Sequence, residues 1–172
     1  MELGRACLEL PGMMLEESWL RKGLVAIAVE RTGAAGQLGE TGPLRIQHLA
    51  GQDTSDGLAI AGTAIELGSE VHTLAWEGYA QLADAGFQHR IRRPEHAASS
   101  GVDHVASLLE LWLWTQSDVD WTSLQSHLDE FTFRFNHRSE PSGMTFQRLV
   151  SCALRQADAN LALPGRDLLR SA

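Results

Sequence analysis

Leu128-Asp129-Glu130-Phe131-Thr132-Phe133-Arg134-Phe135-Asn136-His137-Arg138 is the most informative stretch of this chain. With Leu124, the apolar residues Leu128, Phe131 and Phe135 recur every three or four positions, the spacing of one face of an α-helix. Asp129, Glu130, Arg134 and Arg138 fall off that face. Arg134 and Arg138 are an i, i+4 pair with Asn136 between them. They could face a phosphate backbone, or pair with Asp129, Glu130 or Glu140 as surface charges.

The neighbouring sequence extends the helical reading in both directions. Val102, Val105, Ala106, Leu109, Trp112 and Leu113 form one apolar stripe; Phe146, Leu149, Val150 and Ala153 form another. Further upstream the pattern changes. Leu24-Val25-Ala26-Ile27-Ala28-Val29 is short and partly β-branched, and a glycine-bearing turn region (Gly33 to Gly42) follows it, which predicts a buried strand. Leu3 to Leu10, Leu44 to His48, Glu70 to Leu74 and Phe87 to Ile91 read as further strands. Asp53-Thr54-Ser55-Asp56 is a helix-start signal, because such side chains accept hydrogen bonds from free N–H groups. Leu58, Ala61 and Ile65 follow at helical spacing, and Trp76 to Ala83 reads as a short helix. Strands followed by a helical C-terminal half predict an α/β or α+β layered domain.

The chain has 172 residues, 44% of them apolar and 21% charged, which fits one globular domain and excludes a disordered or collagen-like chain. The longest apolar run, Leu24 to Val29, is far below the roughly 20 residues of a membrane helix. The opening residues show no basic-then-apolar leader pattern. The expectation is a cytoplasmic protein with no membrane partner. Net charge is −8. Acidity argues against sequence-blind nucleic-acid binding, which needs a positive surface, though a local basic patch stays open. Two cysteines, Cys7 and Cys152, lack metal-site spacing and read as half-buried thiols.

Several stretches together resemble the integrase-like domain of ISXO-type insertion-sequence transposases. Leu128 to Arg138 is similar to that family's LDEFxFRFNxR run. Val71-His72-Thr73-Leu74-Ala75-Trp76-Glu77-Gly78-Tyr79 looks like its VHTDxWxGY. Val102-Asp103-His104-Val105-Ala106-Ser107-Leu108-Leu109-Glu110-Leu111-Trp112 looks like its VHRVASLLKRW. Lys22 to Glu30 looks like its second strand, Met1 to Leu8 resembles its first strand, and Phe146 to Val150 also matches. The likeness runs over about residues 1 to 155. It implies an RNase H-like, integrase-type mixed sheet flanked by helices over residues 1–160, with a loose tail at 161–172. It also implies DDE chemistry of DNA transposition and recombination, in which acidic side chains hold two Mg²⁺ or Mn²⁺ ions at a phosphodiester.

The chain departs from that pattern at the positions that carry the chemistry. The family's first acid falls at Gly4, with Glu2 two residues away on the same strand face. Its second acid falls at Leu74, which cannot bind a metal. Its next position is Asp103, which could. The lysine seven residues on, expected to face DNA, is Glu110. The N-terminal DNA-binding and zinc-ribbon elements of the family are not seen. The expectation is a degenerate member, a pseudoenzyme, in which the metals are not held.

Other candidates are weaker. His89-Arg90-Ile91-Arg92-Arg93 is the basic cluster, read either as a phosphate contact or as a charged edge strand. His72, His89, His96 and His104 lack the spacing of a histidine metal site. Trp114 lies off the apolar stripe and could mark a partner surface. Three classes therefore stand open. One is an inactive transposase-family domain. A second is a binding module for a partner transposase, a second copy or DNA, with Arg90, Arg92, Arg93, Arg134 and Arg138 as the DNA candidates. The third is a residual metal nuclease using Asp103 with Glu2 or Asp56.

Overall fold

The computed structural model describes residues 1–8, 23–32, 40–49, 55–92, 100–116, 119, 122–141, 143–145 and 147–151. The chain forms two compact units, Met1–Asn136 and His137–Ala172. The first unit is built on a five-stranded sheet. Strand β1 spans Glu2–Leu8, β2 Gly23–Thr32, β3 Glu40–His48, β4 Glu70–Thr73 and β5 Gln88–Ile91. The spatial order is β3-β2-β1-β4-β5. The first three strands run antiparallel, while β4 pairs parallel with both β1 and β5.

Strand β2 shows why the sheet is buried on both sides. Val25, Ile27 and Val29 point to one face and Ala26 and Ala28 to the other, and all five are buried. The branched residues meet helices α2 (Gly101–Leu113) and α3 (Leu124–Asn136) through Val105, Leu109, Leu113, Leu128 and Phe131. The alanines leave room for α1 (Ser55–Ala64) and the 3-10 turn Glu77–Leu82, which contribute Ile60, Ala61, Tyr79 and Leu82. Each fully buried Val or Ile contributes about 1.5–3 kcal/mol of apolar transfer, so this strand anchors both layers.

The stripe on α3 is confirmed. Leu124, Leu128 and Phe131 are buried, and Phe131 stacks at a tilt between Trp112 (5.6 Å) and Phe135 (6.0 Å). The stripe on α2 is also core. Trp76 to Ala83 is helical in a narrower sense, a 3-10 turn over Glu77–Leu82. Cys7 is exposed, not half-buried, because it lies on β1 beyond the last residue of β4. Cys152 lies outside the described residues.

In the second unit, residues 143–145 and 147–151 are helical, and Arg148 pairs with Glu140 at 3.0 Å. Leu149 and Val150 are 51% and 40% exposed, so these two positions of the third stripe are not core. Phe146 and Ala153 of that stripe lie outside what is described of side chains. No helix among the described residues is long and apolar enough to cross a membrane.

Candidate functional site

Strand β4 stops at Thr73, while its neighbour β1 continues to Leu8. The chain after β4 turns away into Leu74, Ala75 and Trp76. This leaves a crevice beside β1 at the carboxyl end of β4, with helices on both faces of the sheet, the usual place for a site in an open α/β sheet. A cavity of about 230 Å³ fills it. Gly4 on β1, Leu74 after β4 and Asp103 in the first turn of α2 all line this cavity. Three positions far apart in sequence are thus brought to one point. Glu110 stands about two turns further along α2 and is not part of the lining.

Gly4 faces α2 closely. A Cβ built at Gly4 would sit 2.9 Å from Val102 Cγ1. The valine therefore occupies the space that any larger residue on β1 would need. Leu74 is 44% exposed at the rim and offers no donor atom.

Glu2 shares the Gly4 face of β1 and is buried at 3% exposure. Its Oε1 accepts from Arg31 Nη1 at 2.8 Å and meets Arg92 Nη1 at 2.5 Å. Its Oε2 accepts from the Gly101 N–H, the first amide of α2, at 2.5 Å. Ser100 caps the same helix, its Oγ accepting from Val102 N–H at 3.2 Å. Oε2 of Glu2 thus ties β1 to the N-terminus of α2, where an anion is favoured, while Oε1 ties it to Arg31 of β2 and Arg92 after β5. Asp103 is the remaining acid in the cavity. Burial, and then the Glu2 charge, push its carboxyl above the usual range. Asp56 falls in the first turn of α1.

Among the described residues, no three His, Cys, Asp or Glu side chains converge as metal ligands would. Glu2 is held by two guanidiniums, Leu74 and Gly4 supply no oxygen, and Asp103 alone is left. This donor set does not fit a two-metal centre, which needs several acids from separate elements.

The opposite side of the crevice was not anticipated from sequence. Arg5 lies over the face of Trp76, 3.5 Å from the ring centroid, and Trp76 meets Tyr79 edge-on at 4.8 Å. The Trp76 ring covers Gly78, where a Cβ would come within 2.1 Å of it. The Tyr79 hydroxyl is buried, with no hydrogen-bond partner among the described residues. Burial drives its pKa up to about 12, against the pull of Arg5. The signal for this cluster was the Trp76, Tyr79 spacing of three, which puts both rings on one side of a short helical turn.

The arginines proposed for DNA are largely engaged. Arg90 pairs with Glu70 at 3.2 Å, Arg92 with Glu2, and Arg134 with Glu130 at 2.7 Å. Arg138 is exposed in the second unit, and Arg93 lies outside the described residues. The histidines do not gather. His72 meets Glu70 at 2.8 Å, and burial followed by the Arg92 charge lowers its pKa. His89 Nε2 lies 2.8 Å from Thr73 Oγ1, and burial lowers its pKa too. His104 is exposed on α2, and His96 lies outside the described residues. Trp114 is exposed at the end of α2, one turn from exposed Leu111.

No protein-family model matches the chain, and no curated protein matches it. A solved structure does. It is a chain in the cryo-EM structure of the simian T-cell lymphotropic virus intasome in complex with PP2A regulatory subunit B56 gamma. The TM-score is 0.51 at 14% identity, covering 79% of this chain and 48% of that one. The protein therefore spans about half the length of that chain. The likeness is one of fold: a mixed α/β sheet with flanking helices, distantly like that of an integrase.

Proposed function

We infer that this chain is an RNase H-like domain of transposase descent that no longer cuts or joins DNA, and that it acts as a non-catalytic binding module. The observation that carries this reading is the fate of the crevice beside β1. The positions the ISXO-type resemblance assigns to acids are Gly4, packed on Val102, and Leu74, at the rim. The nearby acid Glu2 is bound by Arg31, Arg92 and the α2 amide. Asp103 alone is too few ligands to hold two Mg²⁺ or Mn²⁺ ions.

Between DNA and protein as the partner, charge favours protein. Three of the five candidate arginines are paired with carboxylates, and the chain carries −8. Exposed Leu111 and Trp114 give α2 an apolar end that protein contacts commonly use. The intasome neighbour, itself solved with a protein partner, agrees with this in kind.

Calorimetric titration with Mn²⁺, on the protein and on Asp103→Ala, tests the first half. No saturable binding is expected from either. Tight binding that Asp103→Ala abolishes would return the enzyme reading and call for a DNA-nicking assay. DNA binding that weakens steeply with added salt would overturn the preference for a protein partner.

A further inference from the structure

We propose that the open edge of β5 takes up an extended segment of a partner protein as a further strand, with acidic side chains on one face of that segment and apolar ones on the other. The proposal rests on the reading of this chain as a protein-binding module and names the surface and the kind of partner.

Strand β5 ends the sheet and, among the described residues, pairs with β4 alone. The Gln88 N–H donates to the Ser69 carbonyl at 3.0 Å, and the Arg92 N–H to the Thr73 carbonyl at 2.7 Å. Backbone groups turn to alternate sides along a paired strand, so His89 and Ile91 turn theirs away from β4. The His89 N–H makes a local bond to the Phe87 carbonyl at 3.1 Å. The Ile91 N–H and the carbonyls of His89 and Ile91 remain on the outer side, one donor and two acceptors for a strand laid alongside.

The side chains sort by face. Ile91 is in register with Thr73 and His89 with Val71, and Val71 belongs to the core under α1. Ile91 therefore lies on the α1 side of the sheet, and it is 63% exposed. Arg90 is in register with His72, and His72 with Glu2, whose carboxylate meets α2. Arg90 therefore lies on the α2 side, with its side chain 65% exposed. Its Nε pairs with Glu70 at 3.2 Å, an ion pair between two exposed side chains and so a weak one. The Nη groups lie outside that pair and suit a second carboxylate. An edge guarded against other strands carries charge or a bulge along it; here one face ends in an exposed isoleucine.

These two faces select the occupant. Residues opposite one another on neighbouring strands share a face and interact in pairs. An apolar side chain is favoured opposite Ile91 and a carboxylate opposite Arg90. A second copy fits poorly, because two β5 strands meeting about a two-fold axis set Arg90 against its counterpart, and like charges directly opposite destabilise. DNA fits poorly too. Duplex affinity is built from many phosphate contacts, whereas Arg92 is held by Glu2 and Arg90 stands beside an apolar side chain.

Fluorescence anisotropy of a labelled peptide of about eight residues, alternating glutamate and valine, tests this on the full chain. Saturable binding is expected, at least about tenfold tighter than that of the lysine–valine analogue, the value of one hydrogen bond to a charged partner. Arg90→Glu should reverse that preference. Ile91→Thr, which keeps a β-branched strand former, should weaken the acidic peptide. Methylating the peptide's backbone nitrogens at one alternate set of residues should abolish binding, and methylating the other set should spare it. The methylated peptides need no variant, so the test stands even if one does not fold. Equal effects of the two sets overturn strand addition, and no saturable binding overturns the site. A concentration-dependent dimer that Ile91→Lys dissolves gives the edge to a second copy, and duplex binding that Arg90→Glu abolishes gives it to DNA; either overturns the acidic partner. The Mn²⁺ titration of the parent tests the loss of the metal centre separately, so the two readings fail separately.

Discussion

Asn136 brackets the backbone of Leu44. Its Oδ1 accepts from the Leu44 N–H at 2.8 Å and its Nδ2 donates to the Leu44 carbonyl at 3.0 Å. Gln125, three turns earlier on α3, accepts from the His48 N–H at 2.8 Å. The amides of α3 thus satisfy three backbone groups on the outer edge of β3, the end strand of the sheet, where a further strand would otherwise pair.

Replacing Asn136 with Ala leaves both Leu44 groups without these partners. A loss of about 1–3 kcal/mol is expected, read as a lower urea midpoint at unchanged slope. Asn136→Asp keeps the acceptor but loses the donor, and should fall between the two.

Glu2→Gln should cost more. It removes the charge that compensates Arg31 and Arg92 while leaving both half-buried beside β1. Breaking one partner of a buried ion pair typically costs about 3–5 kcal/mol. Guanidinium chloride is unsuitable here because it screens the pairs, so urea denaturation is the measurement. A loss under about 1 kcal/mol would mean that water already solvates the two arginines.

Gly4→Ala tests the packing of β1 on α2. The added Cβ lies 2.9 Å from Val102, and overpacking of this kind costs about 1–3 kcal/mol. Val102→Ala on its own leaves a cavity. Combined with Gly4→Ala it should restore part of the loss, so a double-mutant cycle should give a coupling energy above about 0.5 kcal/mol. Additive effects would place the clash elsewhere.

Asp103 predicts a pH dependence. Its folded pKa is raised by burial and by Glu2, so the folded state holds this proton more tightly than the unfolded state. Its favourable contribution is present below the ordinary carboxylate value of about 3.9 and is lost as pH rises through the folded value. Asp103→Asn does not titrate. The variant should therefore gain stability relative to the parent as pH rises from about 4, with the difference level at neutral pH. Parallel urea titrations at several pH values measure it, and a difference that falls with rising pH would contradict it.

The legible parts of the fold were those with a local period. Leu24 to Val29 announced a two-sided strand, and Leu124, Leu128, Phe131 and Phe135 announced α3. Gly4, Leu74 and Asp103 were placed together only through family resemblance, since no local pattern relates them. The partners of Glu2 were not legible: Arg31 lies near the end of β2 and Arg92 follows β5, and only the sheet order brings them to one carboxylate. Asn136 was read as a residue between two arginines, because an amide's choice between solvent and a distant strand leaves no trace in spacing. The Arg5–Trp76 contact was hidden for the same reason, as it joins β1 to the turn after β4.

The sealing of β3 also sets how copies of this domain can add to one another. In the language of polymerisation, a sheet with two open edges is a bifunctional monomer and can grow without end. With the Leu44 N–H and carbonyl and the His48 N–H already answered by α3, that edge is less reactive, and growth through it is disfavoured. Joining through the opposite edge would consume both growing ends at once, so such growth terminates at a pair. The two side-chain amides of α3 are chain terminators built into the monomer.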